Sequence, residues 1–444
     1  MTNRPMLLCL LAALASPAMA EPPAKIEVKG ALTGRWLATA DLFGTPIYER
    51  LDLDQHGDVL SGKFGGDKLT GAVTGDKIHF VSTDDTGGKA AADAVLKGGA
   101  LTGTIVETDD GNTVQHRYTF AATPYPARPT GPAQRHEFTP TVFYRQFSAL
   151  NKPVLTVAPG DTIHTTTVDA GGGDEKGVSR VLGGNPQTGP FYIQSAMPGD
   201  TLVIHLVRLK LNRDYALSDD AIVPRGLTGD MAVKMKDTGK EVRWHLDLAK
   251  GLASVEKPGE HLAHYTVPVR PMLGCIATAP SPSRGAPPTQ DSGSWGGNMD
   301  FNEIVEGATV YLPVSVPGAL LYLGDAHALQ GDGEINGNAL ETSMDVEFTV
   351  DVIAGHRVPS PRVESATTLM AMGLDGSLDD AFKAATANMA GWLADEHHLT
   401  PSEVAEVLGS VAQYKVSEAA DRNAGVVLKI DKARLESLLS IPAK

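Results

Sequence analysis

Polar and acidic side chains are concentrated in the segment 324–334, which reads GDAHALQGDGE. Its side chains include Asp325, His327, Gln330, Asp332 and Glu334. Carboxylates and an imidazole this close together repel one another when buried, unless they share a cation or a proton-transfer task. The segment therefore predicts an active site or a metal site.

A second polar segment lies upstream, at 295–300, and reads WGGNMD. Asn298 and Asp300 are two residues apart, and the glycines before them let backbone N–H groups approach a ligand closely. Taken alone, the segment is interpreted equally well as an Asn/Gly turn. We interpret 295–300 and 324–334 together as two walls of one site.

A strand is needed to deliver the first pair of side chains. The apolar run 319–324 predicts such a strand, and Asp325 and His327 would then project from its end to the same side. The glycines on either side of Asp332 predict a tight turn that returns Glu334 toward this pair. For Asp332 itself, a surface turn is favoured over a chemical role.

Other reactive residues are interpreted as structural. Cys275 lies in an apolar run without a neighbouring His, Lys or Glu, which favours a buried thiol over a nucleophile. His261 and His264 have zinc-ligand spacing only on a helix, and the β-type residues after them favour surface histidines. The sequence contains no G-x-S-x-G, H-E-x-x-H or phosphate-binding motif.

The N-terminus has the features of a cleavable export signal. Arg4 precedes the apolar run 6–15, and Ala18-Met19-Ala20 forms a small-x-small cleavage site. The apolar run is too short to span a bilayer. Residues 1–20 are therefore predicted to be a signal peptide, and the protein is expected in the periplasm or outside the cell. Because Cys9 would leave with this peptide, no intrachain disulfide is expected.

The length of 444 residues exceeds that of one compact domain. Residues 21–123 contain short β-type runs between glycine-rich turns, which predict an antiparallel meander that can close into a small barrel. Within it, Asp52-x-Asp54 is interpreted as part of a hairpin, because position 63 is Lys where a calcium loop needs Glu. A proline-rich linker is predicted over 124–135.

The predicted domain 136–444 has longer β-type runs followed by late helices. Ser377 can cap a helix that carries Phe382, Ala385, Met389, Trp392 and Leu393 on one face. Thr400 opens a capping box with a proline at the first helical position, and 426–430 reads as a final strand. The expected fold class is mainly β, or α+β. The net charge of −15 argues against nucleic acid and anionic membranes as partners.

Several short sequence segments, in their order along the chain, resemble the acetamidase/formamidase family. They are NPQTGP at 185–190, GDTL at 199–202, GGNMD at 296–300, LPV at 312–314, PGAL at 317–320 and GDAHALQGDGE at 324–334. The resemblance covers about 137–443 and leaves the first module outside. It implies a β-sandwich with an α+β C-terminal part, assembly into homo-oligomers, and hydrolysis of small amides such as formamide and acetamide to the carboxylic acid and ammonia.

For this reaction we hypothesise a divalent metal, most simply zinc, held by Asp300, Asp325 and His327. Glu334 would act as general base toward water and then as acid toward the departing ammonia. Asn298 and Gln330 would donate hydrogen bonds to the carbonyl oxygen. A metal-free version keeps the same residues as an acid/base pair.

Two alternative functions stay open. The segments 211–230 and 280–284 depart from the family's usual pattern, which would suit an amidase for a larger or cyclic amide. A domain that has lost catalysis would instead be a periplasmic binding protein for amides or glycans, with 21–122 as a docking module. Ammonia release from a panel of amides separates these functions.

Overall fold

The computed structural model describes residues 32–111 and 113–439. The predicted signal peptide, and Cys9 within it, lie outside these residues. In this part of the chain, no helix is both long and apolar enough to cross a membrane.

The first module is a closed barrel in which each strand pairs antiparallel with the next, and the last strand pairs back with the first. Its strands are β1 (Gly34–Leu42), β2 (Thr45–His56), β3 (Val59–Phe64), β4 (Asp67–Thr74), β5 (Lys77–Thr83), β6 (Lys89–Lys97), β7 (Ala100–Thr108) and β8 (Gln115–Pro124). The predicted small antiparallel barrel is thus confirmed. Asp52 and Asp54 lie on β2, which forms a hairpin with β3 as expected.

Alternating side chains explain why this module closes. Along β5, Ile78 and Phe80 are buried, whereas Lys77 and His79 between them are exposed. Residues of this inward-facing set fill the barrel, with Leu51, Leu69, Phe80 and Leu101 completely buried. The interior is therefore a packed apolar core.

The larger part of the chain contains two sheets. The first has twelve strands: β10 (Phe143–Tyr144), β11 (Leu155–Val157), β13 (Gln187–Ile193), β15 (Tyr215–Asp219), β16 (Glu241–Asp247), β17 (Leu252–Val255), β18 (Thr266–Pro268), β19 (Met272–Ala277), β20 (Ser292–Gly293), β21 (Gly296–Asn298), β23 (Leu321–His327) and β24 (Glu341–Thr342). Its main path runs β18-β17-β16-β15-β24-β23-β19-β21-β20, and β13 pairs with β23, β10 and β11.

The second sheet has nine strands, in the order β28-β29-β27-β26-β22-β14-β25-β12-β9. They are β9 (Arg135–Glu137), β12 (Thr162–Thr166), β14 (Thr201–Leu211), β22 (Thr309–Pro313), β25 (Met344–Ile353), β26 (Arg362–Glu364), β27 (Thr368–Asp375), β28 (Gln413–Glu418) and β29 (Ala424–Asp431).

The main core joins both sheets. Ile204 and Phe348 of the nine-stranded sheet belong to the same buried cluster as Phe191 and Leu323 of the twelve-stranded sheet. The rings of Phe191 and Phe348 meet edge-to-face, with centroids 5.7 Å apart. The arrangement is a β-sandwich, so the predicted mainly-β fold class is confirmed.

Among the described residues, four α-helices lie outside the sheets: α1 (Gly229–Lys234), α2 (Leu378–His397), α3 (Pro401–Val411) and α4 (Glu436–Leu439). The predicted caps are confirmed, because Ser377 accepts from Asp380 N at the start of α2 and Thr400 forms a capping box with Glu403 at α3. The buried face of α2 packs on β27 and β29.

The predicted apolar face of α2 is confirmed for Ala385, Met389, Trp392 and Leu393, which are buried, and is wrong for Phe382. Phe382 is 45% exposed and stacks on Tyr414, with ring centroids 4.2 Å apart. The buried stripe of α2 begins with Ala381 in place of Phe382, because a small residue lets the helix approach the sheet closely. Gly373 of β27 confirms this approach, since a Cβ added there would lie 2.0 Å from the Ala381 carbonyl oxygen.

The barrel and the linker after it contact the sandwich through polar groups and through Tyr48, which packs on the buried cluster that contains Phe147 and Tyr322. Arg50 donates to the carbonyl oxygen of Gly355 at 3.3 Å, and the Tyr125 hydroxyl donates to that of Pro198 at 2.6 Å. The exact domain limits at 123 and 135 stay predictions.

Candidate active site

Pairing of three strands brings the two polar segments of the sequence together. On β19, Cys275 pairs with Gly324 of β23 on one side and with Asn298 of β21 on the other. Asp300 follows β21, and Asp325 and His327 lie at the end of β23. The predicted strand over 319–324 therefore exists, but it begins at Leu321 and extends through His327.

Glycine at position 274 makes room for two carboxylates. A Cβ added at Gly274 would lie 2.4 Å from Asp300 Oδ1 and 2.4 Å from Asp325 Oδ2. Both carboxylates therefore lie directly over the backbone of β19. Asp300 and Asp325 have positive φ angles of 42° and 58°, a conformation that non-glycine residues rarely adopt. Strained backbone of this kind is typical of functional sites.

The imidazole of His327 lies at the centre of the cluster and is completely buried. Its Nδ1 is 2.9 Å from Gln330 Oε1. The Gln330 amide nitrogen donates to the backbone oxygen of Asp300 at 2.5 Å, so its Oε1 must accept, and Nδ1 of His327 donates. This contact leaves Nε2 as the atom that faces the remaining groups.

Three carboxylates surround that Nε2. It lies 3.1 Å from Glu341 Oε1, 3.4 Å from Asp325 Oδ1 and 4.0 Å from Glu334 Oε1. A neutral Nε2 lone pair would repel all three acceptors. The arrangement is favourable only if the imidazole carries a second proton or if a cation lies among these atoms.

The pKa values of these residues are shifted by burial and by the close charges around them. Burial, followed by the nearby carboxylates, raises the pKa of Asp300 well above its ordinary value. Burial likewise raises the pKa of Glu334 well above its usual range, although His327 opposes this. Burial raises the pKa of Glu341 to about 7. Burial lowers the pKa of His327, but Glu341 and Asp325 outweigh it and raise that pKa well above 6.5.

The donor atoms fit a metal ion. Three overlapping sets each place their ligand atoms within 4.8 Å of one another: Asp300, His327 and Glu334; Asp325, His327 and Glu341; Asp300, Glu418 and Asp421. Three buried oxygens of these residues have no hydrogen-bond partner in the described part of the chain: Asp300 Oδ1, Glu341 Oε2 and Glu418 Oε2. Buried carboxylate oxygens without a donor are the ligands that a divalent cation takes.

Asn298 ties the carboxylates together. Its amide nitrogen donates to Asp300 Oδ2 at 2.6 Å and to Asp421 Oδ2 at 2.8 Å. Its oxygen accepts from the amide of Asn185 at 2.5 Å. Gln330 is equally engaged, since its nitrogen also lies 3.4 Å from the carbonyl oxygen of Ser417. These contacts favour an orienting role for both amides over the predicted role as donors to a substrate.

Glu341, Glu418, Asp421 and Asn185 belong to the site but were not among the predicted site residues. Glu418 ends β28 next to the turn of the polar segment, where Ala419 N donates to the Gly333 carbonyl oxygen at 3.0 Å. Asn185 stands in the NPQTGP phrase at 185–190.

The loop after β28 is held over the site from outside. The guanidinium of Arg225 donates to the carbonyl oxygens of Ala419, Asp421 and Arg422, at 3.2, 2.5 and 2.7 Å. Arg225 lies in the segment 211–230 that departs from the family pattern. This segment thereby supports Asp421.

A cavity of about 340 Å³ opens above the cluster, and Asn298, Asp325, Glu334 and Glu341 form part of its lining. No described residue of the barrel lines it. A cavity of this size is in the lower range of small-molecule sites.

The remaining candidates lie outside the cluster or have no role in it. Cys275 is buried, and burial raises its pKa well above the ordinary value, as a structural thiol requires. His261 and His264 are exposed. Asp332 points away, since it accepts from Asn302 at 2.9 Å and pairs with Lys415 at 3.0 Å.

Comparison with known proteins shows which family this chain resembles. The model of the Acetamidase/Formamidase family matches residues 282–367. The acetamidase of Mycolicibacterium smegmatis is 40% identical over 80 residues, which are 18% of this chain and 19% of that protein. The aligned stretch thus spans about a fifth of this curated relative.

Two crystal structures match much more of the chain. One is a predicted acetamidase/formamidase from Thermoanaerobacter tengcongensis, with 29% identity and a TM-score of 0.58, covering 69% of this chain and 99% of that one. The other is the acetamidase from Yersinia enterocolitica, with 28% identity and a TM-score of 0.60, covering 70% and 94%. The part of the chain that follows the barrel is thus similar to the acetamidase/formamidase family in sequence and in fold.

Proposed function

We propose that this protein hydrolyses the linear carbon–nitrogen bond of a small amide to a carboxylate and ammonia. The observation that carries the proposal is the surrounding of His327 Nε2 by the carboxylates of Asp325, Glu334 and Glu341 at the base of a cavity. The names of its relatives, acetamidase and formamidase, point to the same reaction.

The hydrolysis is metal-assisted in this proposal. Asp300, Asp325 and His327 would hold the ion, and zinc suits an imidazole together with carboxylates. His327 shares one close donor set with Asp300 and another with Asp325, and no single set contains all three. The unpartnered Oδ1 of Asp300 and the carboxylates around His327 Nε2 support these ligands. A divalent cation held there would supply a Lewis acid for the negative charge that develops on the carbonyl oxygen.

Glu334 transfers the protons. Its carboxylate is buried, and it would take a proton from the attacking water and pass it to the departing nitrogen. The raised pKa of Glu334 suits the second step, because a carboxyl that holds its proton near neutral pH is a competent acid. Gln330 fixes the ring of His327, and Asn298 fixes the spacing of Asp300 and Asp421.

Release of ammonia from a panel of purified amides tests the reaction. Turnover of at least one linear primary amide is expected. If no amide in the panel releases ammonia while some bind tightly, the chain is a binding protein and the proposal is wrong.

Metal removal tests the metal-assisted part. Elemental analysis should find about one divalent ion per chain or more, and dialysis against a chelator should abolish turnover, with recovery on adding zinc. Activity that survives chelation in a preparation with far less than one ion per chain would leave the metal-free acid/base pair as the mechanism.

Export directed by residues 1–20, and assembly into homo-oligomers, are part of the same proposal. Mass spectrometry of the mature N-terminus tests the first, with Glu21 expected. Sedimentation of the purified protein tests the second.

A further inference from the structure

The cavity above the cluster is larger than formamide or acetamide requires. Its volume is about 340 Å³. Acetamide has four non-hydrogen atoms, and if each takes about as much space as a water molecule, roughly 30 Å³, the substrate fills only about a third of the cavity. The remaining space could hold a substituent on the acyl side of the amide.

The lining of this cavity is strongly acidic. Among the described residues it contains no Lys, Arg or His, and its carboxylates are Asp169, Asp219, Glu241, Asp325, Glu334, Glu341 and Asp421. Neighbouring basic side chains are already paired: Arg213 lies 2.6 Å from Asp169, and Arg422 lies 2.9 Å from Asp291. A neutral or anionic substituent would gain nothing from such walls.

Two of these carboxylates face each other at the rim. Asp219 of β15 pairs directly with Glu241 of β16 across the sheet. Like charges in directly opposed positions destabilise a strand pair. Asp219 accepts a hydrogen bond from the Asn338 amide at 2.6 Å. Within the described chain, neither carboxylate has a Lys or Arg partner within salt-bridge distance.

A third carboxylate links the rim to the catalytic cluster. Glu341 is 7% exposed, lines the same cavity, and its Oε2 has no hydrogen-bond partner in the described residues. Glu341 pairs with Leu217 of β15. Asp219 lies two residues beyond Leu217 on that strand, which is about 7 Å farther along it. The unsatisfied Oε2 of Glu341 and the carboxylates of Asp219 and Glu241 therefore lie in sequence from the buried cluster to the rim of the cavity.

We propose that the substrate is a primary amide that also carries an ammonium group, such as an amino-acid amide. Its amide group lies at the cluster of Asp325, His327 and Glu334, and its ammonium lies between Asp219 and Glu241. This proposal rests on the amidase function proposed above. Water adds to the carbonyl carbon, the carbon–nitrogen bond of the amide breaks, ammonia leaves, and the ammonium of the acyl part is unchanged.

Matched amides test the role of charge. Glycinamide and β-alaninamide carry an ammonium where propionamide and butyramide carry a methyl group. The intrinsic reactivity of the two classes of amide differs. The quantity to compare between variants is therefore a ratio, kcat/KM for the ammonium-bearing amide divided by kcat/KM for its methyl counterpart. In the wild type this ratio should fall as ionic strength rises, because salt screens the rim charges.

The double variant Asp219→Asn/Glu241→Gln should lower that ratio about tenfold and leave kcat/KM for propionamide within about twofold. Asparagine at 219 keeps an oxygen acceptor for Asn338, and the metal content should be unchanged. Asp230→Asn, an exposed carboxylate on α1 outside the cavity, is the matched control and should leave the ratio unchanged.

An unchanged ratio in the double variant, at full metal content, would overturn the proposal while the amidase function stands. If no amide is hydrolysed, calorimetric titration with glycinamide and propionamide decides the question separately. Tighter binding of glycinamide that is lost in the double variant supports the ammonium site, and equal binding of both compounds overturns it.

Discussion

At the scale of single residues, the site depends on the neighbours of His327. Its Nδ1 is fixed by Gln330, and its Nε2 faces only carboxylates. The close spacing of 324–334 made this cluster predictable, because Asp325, His327 and Glu334 are separated by one strand end and one turn. Glu418 and Asp421 could not be predicted in the same way, since about ninety residues separate them from Asp325.

Gly274 supplies a prediction at this scale. In Gly274→Ala, the new methyl group would collide with the carboxylates of Asp300 and Asp325. Because displacements of about 1 Å can cost about 100-fold in rate, we expect kcat/KM to fall by about that factor. Ammonia release measures it. Gly331→Ala is the matched control, since a Cβ there meets nothing within 4 Å. Equal activity of the two variants would contradict the positions of these carboxylates.

At the scale of elements, neighbouring strands explain how distant residues meet. The apolar runs of β19 and β23 predict strands, but their pairing through Cys275 is non-local and no periodicity reveals it. The caps of α2 and α3 were predictable because they depend on residues three apart. Phe382 was misplaced because its neighbour Ala381 is the residue that approaches Gly373 of β27.

Glu303 fastens the loop after Asp300 to the strands that lead to Glu418. Its carboxylate pairs with Lys415 of β28, at 3.2 Å, and with Lys429 of β29. Burial alone would raise the pKa of Glu303, but the two lysines outweigh it and hold that pKa below its ordinary value of 4.5.

Glu303→Gln should therefore lower the free energy of unfolding by about 1–2 kcal/mol at pH 7. A depressed pKa stabilises the fold above the ordinary pKa, and this contribution is lost as the pH falls through the folded value. The difference between wild type and variant should thus be full at pH 7 and shrink below about pH 4. Denaturant unfolding at several pH values measures it. A difference that does not depend on pH would contradict the ion pairs.

At the scale of the whole molecule, a closed barrel precedes a sandwich that carries the site. The glycine-rich turns of 21–123 predicted the meander, whereas closure through β1 and β8 joins residues about eighty positions apart. The family resemblance over about 137–443 agrees with crystal structures that cover about 70% of this chain. The barrel lies outside the described lining of the cavity.

Phe80 tests whether the barrel is independent of catalysis. Phe80→Ala removes a completely buried ring that packs on Phe64, so it should destabilise the barrel by about 3–5 kcal/mol. Phe43→Ala, at a position that is 95% exposed, should change stability by less than about 0.5 kcal/mol. Below the unfolding transition, kcat/KM should stay within about twofold in both variants. A large loss of activity in folded Phe80→Ala would show that the barrel contributes to the site.

The central claim is that amide hydrolysis takes place at the cluster around His327, with Glu334 as its acid and base. Its most direct test compares ammonia release by Glu334→Gln with that by Asp332→Asn. Each variant loses one carboxylate from the same turn, and Asp332→Asn is the matched control. Glu334 is buried against the cluster, and Asp332 is exposed and faces Lys415. The account predicts that Glu334→Gln loses about 1000-fold or more in kcat while keeping its fold, and that Asp332→Asn stays within about twofold. Full activity of a folded Glu334→Gln would contradict it.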